Sequence, residues 1–193
     1  MIKSLAPSYD FRIFTEDDIN DNLFKDIDMI AFPGGIGDAD SYYDFFKRRV
    51  ANAVADYVNN GGRYLGICMG AYWAGSHYFD ILEHVDAVQY IKRPDADIRR
   101  SYSTVAPIKW TDLHCSMFFY DGCALIGDET KFKTIARYSN GDPMAIIQNR
   151  IGLIGCHPEA QEYWFDKPYL SKYWKSHDHG IQLLNFVDEL MKQ

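Results

Sequence analysis

Short apolar runs alternate with longer amphipathic stretches along the first half of the chain. Residues 9–14 (YDFRIF) alternate apolar and polar side chains, which predicts a strand. Residues 27–32 (IDMIAF) and 63–67 (RYLGI) are short, nearly continuous apolar runs, and each is followed or preceded by glycines. Such runs are typical of strands buried on both faces, so the pattern indicates α/β construction.

Helical periodicity separates these strands. The clearest case begins at YYDFF and continues to NNGG, with apolar residues at helical spacing: Phe46, Val50, Ala53, Val54 and Tyr57. Asp40 or Ser41 can cap its start, and Gly61 and Gly62 end it. Residues 69–79 (MGAYWAGSHYF) predict a second helix directly after the strand at 63–67.

The second half of the chain is richer in strand patterns. A long polar and locally basic loop is expected at 91–103, the turn QNRIG predicts a hairpin, and a last helix is expected near 181–191. The predicted strands are 85–90, 105–110, 116–120, 134–138, 144–148 and 151–156.

Composition narrows the class of protein. A chain of 193 residues with 47% apolar residues can bury one sizeable core, so we expect a single domain over 1–193. A net charge of -7 argues against nucleic acid or an anionic membrane surface as the main partner. No signal-peptide pattern or membrane-spanning run is found, and no Cys-x-x-Cys pair occurs among the four cysteines. We therefore expect reduced thiols in a cytoplasmic protein.

One cysteine has an unusual setting. Cys68 lies between Gly66 and Gly70, where the predicted strand at 63–67 gives way to a helix. Glycines on either side are typical of a nucleophile elbow, a sharp turn that exposes one reactive side chain. The helix N-terminus would also favour the thiolate. The alternative interpretation is a small core residue at a tight turn, because cysteine is often simply buried.

A second candidate element closes the last predicted strand. Residues 151–160 (IGLIGCHPEA) contain His157 and Glu159, and residues two apart in extended backbone point to the same side. Glu159 could therefore orient His157 while the other ring nitrogen faces a thiol, as in a triad. A loop histidine held by a nearby carboxylate is the alternative.

The sequence AFPGG supplies a third element. Gly34 and Gly35 follow a buried strand, and their backbone N–H groups could approach an oxyanion. The N–H of Met69, directly after Cys68, would be the other donor. Pro-Gly-Gly alone is also compatible with an ordinary turn.

These motifs, in this order, resemble the class I glutamine amidotransferase-like superfamily. The similarity is greatest to the biotin-protein ligase N-terminal domain family, through FPGG, NNGGRYLGICMGAYWAG, FFYDGCALIG, TIARYSNGDPMAII and GLIGCHPE. The resemblance implies a flavodoxin-like three-layer α/β/α sandwich with a β-rich second half and a Cys68-His157-Glu159 triad. It also implies that Gly35 and Met69 form the oxyanion hole and that Gly34, Tyr72 and Trp73 line the substrate site.

Two features depart from the pattern of this superfamily. Glutaminase domains usually have a glutamine four residues after the cysteine, whereas this chain has Tyr72. The fold would also normally begin with a strand that lies in the middle of the sheet, whereas this chain is predicted to begin inside the first helix. Either the start is shortened, or another segment fills that place in the sheet.

Two classes of function therefore remain open. The first is a cysteine-dependent hydrolase or amidotransferase-like enzyme for a small amide or peptide-like substrate. The second is a non-catalytic binding or regulatory module that keeps the scaffold. A partner enzyme or a homo-oligomer is possible in either case, and no cofactor or metal is expected. His177 and His179 are better explained as part of a helix cap, and Lys92, Arg93, Arg99 and Arg100 as parts of a solvated loop.

Overall fold

The structure is a computed structural model. It describes residues 5–15, 18, 23–35, 50–174 and 178–193. Nine strands occur among these residues: β1 (Met29–Phe32), β2 (Arg63–Ile67), β3 (Val85–Gln89), β4 (Thr104–Trp110), β5 (Leu113–Phe119), β6 (Cys123–Gly127), β7 (Lys133–Tyr138), β8 (Pro143–Gln148) and β9 (Ile151–Ile154).

A mixed sheet of seven strands organises the chain, in the order β1-β2-β9-β8-β7-β4-β5. The first three strands are parallel, with Phe32 opposite Gly66 and Ile67 opposite Ile154. The other pairs are antiparallel, which allows short connections such as the turn at Asn149 between β8 and β9. The carboxyl ends of β1, β2 and β9 therefore meet at one edge of the sheet.

Helices cover both faces of the parallel part. The C-terminal helix, Asp178–Leu190, buries its apolar side chains in the same cluster as Leu65 of β2 and Ile154 of β9. On the opposite face, the helix at 50–59 and the short helix Met69–Trp73 pack with Tyr64 and Leu153. Alternate residues of one strand thus face opposite helices, which gives the three-layer α/β/α arrangement that the resemblance implied.

Two further elements complete the second half. β3 and β6 form a separate antiparallel pair, which packs through Val85, Cys123 and Leu125 on the face that carries the helix at 50–59. The β-rich character expected from the sequence is confirmed. No helix among the described residues is long and apolar enough to cross a membrane.

The glycine pair after the helix at 50–59 ends it as predicted. Gly61 has φ 92° and donates to the carbonyl of Val58, while Gly62 donates to the carbonyl of Tyr57. These two bonds satisfy the last free carbonyls of the helix. The predicted start of this helix, including Phe46 and the capping candidates Asp40 and Ser41, lies outside the described residues.

The strand predicted at 9–14 is wrong. These residues form no strand, and Ile13 is largely exposed. Tyr9 instead donates from its hydroxyl to Asp188 of the C-terminal helix, and Phe14 packs edge-on against Phe32 of β1. Side-chain alternation alone does not make a strand, because the backbone also needs a neighbour to bond with. Within the described chain, β1 is therefore paired on one side only.

Other boundaries also differ from those predicted. The helix after Cys68 ends at Trp73 instead of continuing to residue 79, since the chain turns at Gly75, where a Cβ would contact Asp86 and the Tyr72 carbonyl. β5 begins at Leu113, three residues before the predicted start, and β6 was not predicted at all. The remaining strands and the last helix match their predicted places within a few residues.

Candidate active site

The three sequence motifs follow three neighbouring parallel strands. Gly34 follows β1, Cys68 follows β2 and His157 follows β9. These strands are adjacent and parallel, so the motifs meet at the same edge of the sheet. The backbone N–H of Cys68 donates to the carbonyl of Ile154 at 2.8 Å, which ties the turn after β2 directly to the end of β9.

Cys68 has the backbone strain of a nucleophile elbow. Its φ of 50° and ψ of -102° are unfavourable for a residue with a Cβ. The turn leaves no room on either side: a Cβ at Gly66 would collide with the carbonyl of Gly70, and one at Gly70 with the carbonyl of Phe32. The buried hydroxyl of Tyr64 donates a hydrogen bond to the carbonyl of Gly70 at 2.6 Å, which stabilises the turn.

His157 and Glu159 form a buried pair. Nδ1 of His157 lies 2.9 Å from Oε1 of Glu159, and the two residues are 2% and 4% exposed. The His157 backbone N–H donates to the carbonyl of Phe118 at 2.9 Å, and its ring packs edge-on against Phe118 and Trp164. The imidazole is therefore held in position by a hydrogen bond at Nδ1 and by aromatic rings around it.

Gly34 shows that Cys68 and His157 approach each other. A Cβ on Gly34 would lie 2.8 Å from Nδ1 of His157 and 3.3 Å from Cβ of Cys68. Both side chains therefore reach the same small space beside the glycine turn. Cβ of Cys68 and the ring of His157 thus both lie beside Gly34 at one edge of the sheet, and their action as a triad with Glu159 stays a prediction.

The charges at the site favour a protonated imidazole. Burial alone would lower the pKa of His157, but the negative charges of the Cys68 thiolate and of Glu159 outweigh it and raise the pKa to about 10. The helix that begins at Met69 has only five residues, so its dipole is small. The positive charge available to a thiolate at this position therefore comes mainly from His157.

The thiol is covered by the turn between β5 and β6. Sγ of Cys68 lies 3.7 Å from the carbonyl oxygen of Tyr120, and Cys68 is 5% exposed. Among the described residues, Nε2 of His157 and Oε2 of Glu159 have no hydrogen-bond partner. The thiol thus lies against the carbonyl of Tyr120 in this structure.

The proposed oxyanion donors flank the elbow. Met69 follows Cys68 directly, and a Cβ on Gly35 would lie 2.7 Å from Cε of Met69, so the glycine turn packs against the first residue of the short helix. Their N–H groups thus belong to two segments in contact with each other. Whether they serve as an oxyanion hole remains a prediction.

Tyr72 and Trp73 differ in their surroundings. The Tyr72 hydroxyl donates to the carbonyl of Asp121 at 3.2 Å, and burial raises the pKa of this phenol strongly, with a further contribution from the charges of Cys123, Cys68 and Asp121. Trp73 is buried in the core, where its ring packs edge-on against Phe32 and Phe79. Tyr72 is thus the one that lies beside the thiol, while the surroundings of Trp73 are those of a core residue.

Sequence reasoning missed the turn at Tyr120, Asp121 and Gly122 as part of the site. FFYDGC had been noted only as a family motif, and about 50 positions separate it from Cys68. The aromatic residues Phe118 and Trp164 around His157 were missed as well. Phe118 reaches the site because an isolated bridge joins β5 to the segment after β9 at His157, and Trp164 reaches it through its ring contact with His157.

The remaining candidates are accounted for by structural contacts. Arg93 forms an ion pair with Asp142 at 2.8 Å, and Arg99 donates to the carbonyl of Arg93, as expected of a solvated loop. His179 is buried near Phe165, whereas His177 lies outside the described residues.

Comparisons with known proteins agree with the motifs. The family model described as "Biotin-protein ligase, N terminal" matches residues 1–87. An uncharacterised protein of Chlamydia muridarum is 32% identical over 146 residues, covering 64% of this chain and 55% of that protein. The biotin–protein ligase of Schizosaccharomyces pombe is 23% identical over 204 residues, covering 84% of this chain and 30% of the ligase. The chain therefore spans only about half the length of the Chlamydia muridarum protein and about a third of the length of the ligase.

Solved structures show the same fold. A glutamine amidotransferase has a TM-score of 0.67 at 15% identity, with 100% of this chain and 92% of that chain covered. A glutamine amidotransferase from Thermotoga maritima has a TM-score of 0.62 at 10% identity, with 86% of this chain and 79% of that chain covered. The class I glutamine amidotransferase-like fold and the resemblance to the biotin-protein ligase N-terminal family are both confirmed.

Proposed function

We propose that this chain is a thiol enzyme, a hydrolase or amidotransferase-like protein that cleaves a small amide or peptide-like substrate. The observation that carries the proposal is the buried His157–Glu159 pair, joined at 2.9 Å, beside a cysteine held at φ 50°. A strained cysteine backed by an oriented imidazole is the arrangement that activates a thiol. Scaffold packing alone does not require this combination.

The chemistry follows the usual course for such a site. His157 accepts the proton of the Cys68 thiol, and Sγ attacks the substrate carbonyl carbon. The carbonyl electrons move to oxygen, where the N–H groups of Gly35 and Met69 would stabilise the charge. As the intermediate collapses, the carbon–nitrogen bond breaks and His157 protonates the leaving amine. Water, or an amine acceptor, then attacks the thioester with His157 as base and releases Cys68.

Three features indicate the class of substrate and the cellular compartment that we propose. Tyr72 occupies the position of the usual glutamine, so we propose a substrate other than free glutamine. The net charge of -7 favours a small molecule over a polyanion. Four cysteines, none of them in a disulfide and three of them buried, fit a reducing cytoplasmic compartment, where the chain would work alone, as a homo-oligomer or with a partner enzyme.

Thiol reactivity tests the proposal without knowledge of the substrate. Iodoacetamide near neutral pH should alkylate Cys68 at least about tenfold faster than Cys115, although Cys115 is the more exposed of the two. A His157→Gln variant should lose this advantage and retain the Cys115 rate. Rates are measured by mass spectrometry of the modified peptides. Equal rates at Cys68 and Cys115 in the unaltered protein would refute an activated thiol.

A non-catalytic module is the second candidate. It is favoured by the contact of Cys68 with the Tyr120 carbonyl and by the low exposure of the thiol. If this alternative is correct, a Cys68→Ala variant would support growth as well as the unaltered gene in a strain that depends on the protein. The enzyme proposal requires that this variant fail.

A further inference from the structure

The turn between β5 and β6 places Asp121 directly after the residue whose carbonyl contacts the candidate nucleophile. The carbonyl of Tyr120 contacts the Cys68 thiol at 3.7 Å, and the next residue is Asp121. The backbone carbonyl of Asp121 accepts the hydroxyl of Tyr72 at 3.2 Å. One short turn therefore touches both the reactive sulfur and the residue that replaces the usual substrate glutamine.

This carboxylate has no cationic partner in the described part of the chain. Both its oxygens accept from the amide nitrogen of Gln89, at 3.1 and 3.3 Å, and no Lys, Arg or His pairs with it there. Asp142 is a useful contrast, since it is also partly buried but is held by Arg93 and Asn140. A half-buried carboxylate with a single amide donor keeps most of its acceptor capacity.

The backbone fixes the carboxylate in place. Asp121 has φ 53°, a left-handed conformation that Asp tolerates better than most residues. Gly122 has no room for a side chain, because a Cβ there would collide with the carbonyl of Gly155. The carbonyl of Gly122 accepts a hydrogen bond from the backbone N–H of Tyr90 at 3.1 Å. Gly122 thus holds the turn against the segments of Gly155 and Tyr90.

We propose that Asp121 determines substrate specificity by receiving a positively charged group, such as a primary ammonium, of a substrate whose scissile carbonyl lies at Cys68. The substrate would then be an amide that carries an amino group near the bond to be cleaved. This inference rests on the proposed function, because it takes Cys68 as the reaction centre. Gln89 would act as a positioning residue that holds the carboxylate.

The charges around Tyr72 support this placement. Burial is the main cause of the raised pKa of its phenol, and the charges of Cys123, Cys68 and Asp121 raise it further, so the thiol and the carboxylate both lie near this ring. A cation bound there would offset the repulsion between these two negative charges, whereas an anionic group would increase it. The site as a whole therefore favours a cationic substrate group over an anionic one.

Three methanethiosulfonate reagents of similar size test the proposal: aminoethyl (cationic), hydroxyethyl (neutral) and sulfonatoethyl (anionic). Their rates at Cys68 are compared in the unaltered protein and in Asp121→Asn, which keeps the shape and tolerates the left-handed backbone. Asp95→Asn is the matched control, since Asp95 is exposed and has φ 55°. We expect the cationic-to-anionic rate ratio to fall about tenfold in Asp121→Asn at low salt. The neutral rate should stay within about twofold, and Asp95→Asn should keep the original ratio.

The outcomes separate the two proposals. An unchanged rate ratio in Asp121→Asn, with normal labelling by the neutral reagent, overturns the subsite but leaves the thiol enzyme intact. If no reagent prefers Cys68 over Cys115, the proposed function fails. The subsite is then decided by NMR titration of a Cys68→Ser variant with glycinamide and acetamide. Tighter binding of glycinamide that is lost in Asp121→Asn supports it, and equal binding of the two amides overturns it.

Discussion

Gly34 lies beside both the candidate nucleophile and its base. Any side chain at this position would collide with the ring of His157 and contact Cβ of Cys68. The sequence predicted Gly34 as a substrate-site residue whose backbone N–H could approach an oxyanion. The structure adds a steric reason for glycine there: the imidazole approaches the backbone of the turn so closely that there is no space for a methyl group.

We predict that Gly34→Ala displaces the imidazole from Cys68. The rate of Cys68 alkylation should fall about tenfold, and the free energy of unfolding should drop by about 1–3 kcal/mol, as for other overpacked sites. Alkylation followed by mass spectrometry and urea denaturation measure the two effects.

The double variant Gly34→Ala/His157→Ala provides the control. Removing the imidazole removes the collision, so the stability cost of Gly34→Ala should be much smaller in this background. An equal cost in both backgrounds would mean that the clash with His157 is not the cause.

At the scale of elements, the C-terminal helix shows how one face of the sheet is closed. Phe186 packs edge-on against Trp110 of β4, and a Cβ on Gly152 of β9 would lie 2.7 Å from its ring. The helix is thus pressed against the centre of the sheet, next to the strand that leads to His157. This packing holds in place the first half of β9, the strand that His157 follows.

Truncation of this contact should be costly. We predict that Phe186→Ala lowers the free energy of unfolding by about 3–5 kcal/mol, because the ring is buried and its loss leaves a cavity. Ile181→Ala on the same helix is the matched control, since Ile181 is 46% exposed and should cost less than about 1 kcal/mol. Chemical denaturation of both variants measures this, and similar costs would contradict the packing described.

At the scale of the whole molecule, His157 links the site to folding stability. Its pKa is raised from the ordinary 6.5 to about 10, chiefly by the charges of Cys68 and Glu159 acting against burial. Between these two values the imidazole of the folded chain binds a proton that the imidazole of the unfolded chain does not. The resulting stabilisation is fully present below pH 6.5 and is lost as the pH rises towards 10.

This linkage predicts a pH dependence of stability. The free energy of unfolding should decline between pH 7 and pH 10 by up to about 1.4 kcal/mol per pH unit from this group. The stability of the His157→Gln variant should decline less steeply over the same range, because this variant lacks the imidazole that loses its proton. Urea titrations at several pH values give the two curves. Parallel curves would show that His157 is not protonated preferentially in the folded state.

Sequence alone predicted most of the strands because their apolar runs are local and are bounded by glycine, proline or polar turns. The strands ending at Phe32, Ile67, Gln148 and Ile154 were placed within a few residues. Prediction from sequence failed where the structure of a segment depends on contacts with other parts of the chain. Residues 9–14 alternate correctly but have no strand beside them, and the helix after Cys68 is cut short by the turn at Gly75.

The same division holds for the candidate site. The sequence by itself determined which chemical groups exist and that Gly34, Cys68 and His157 each follow a strand, because these are properties of neighbouring residues. Only the tertiary structure decided that the three strands are adjacent and parallel, which brings these groups to one edge. It also decided that the turn at Asp121, distant along the chain, covers the thiol. Strand order and burial depend on pairing between remote segments, and no local pattern records them.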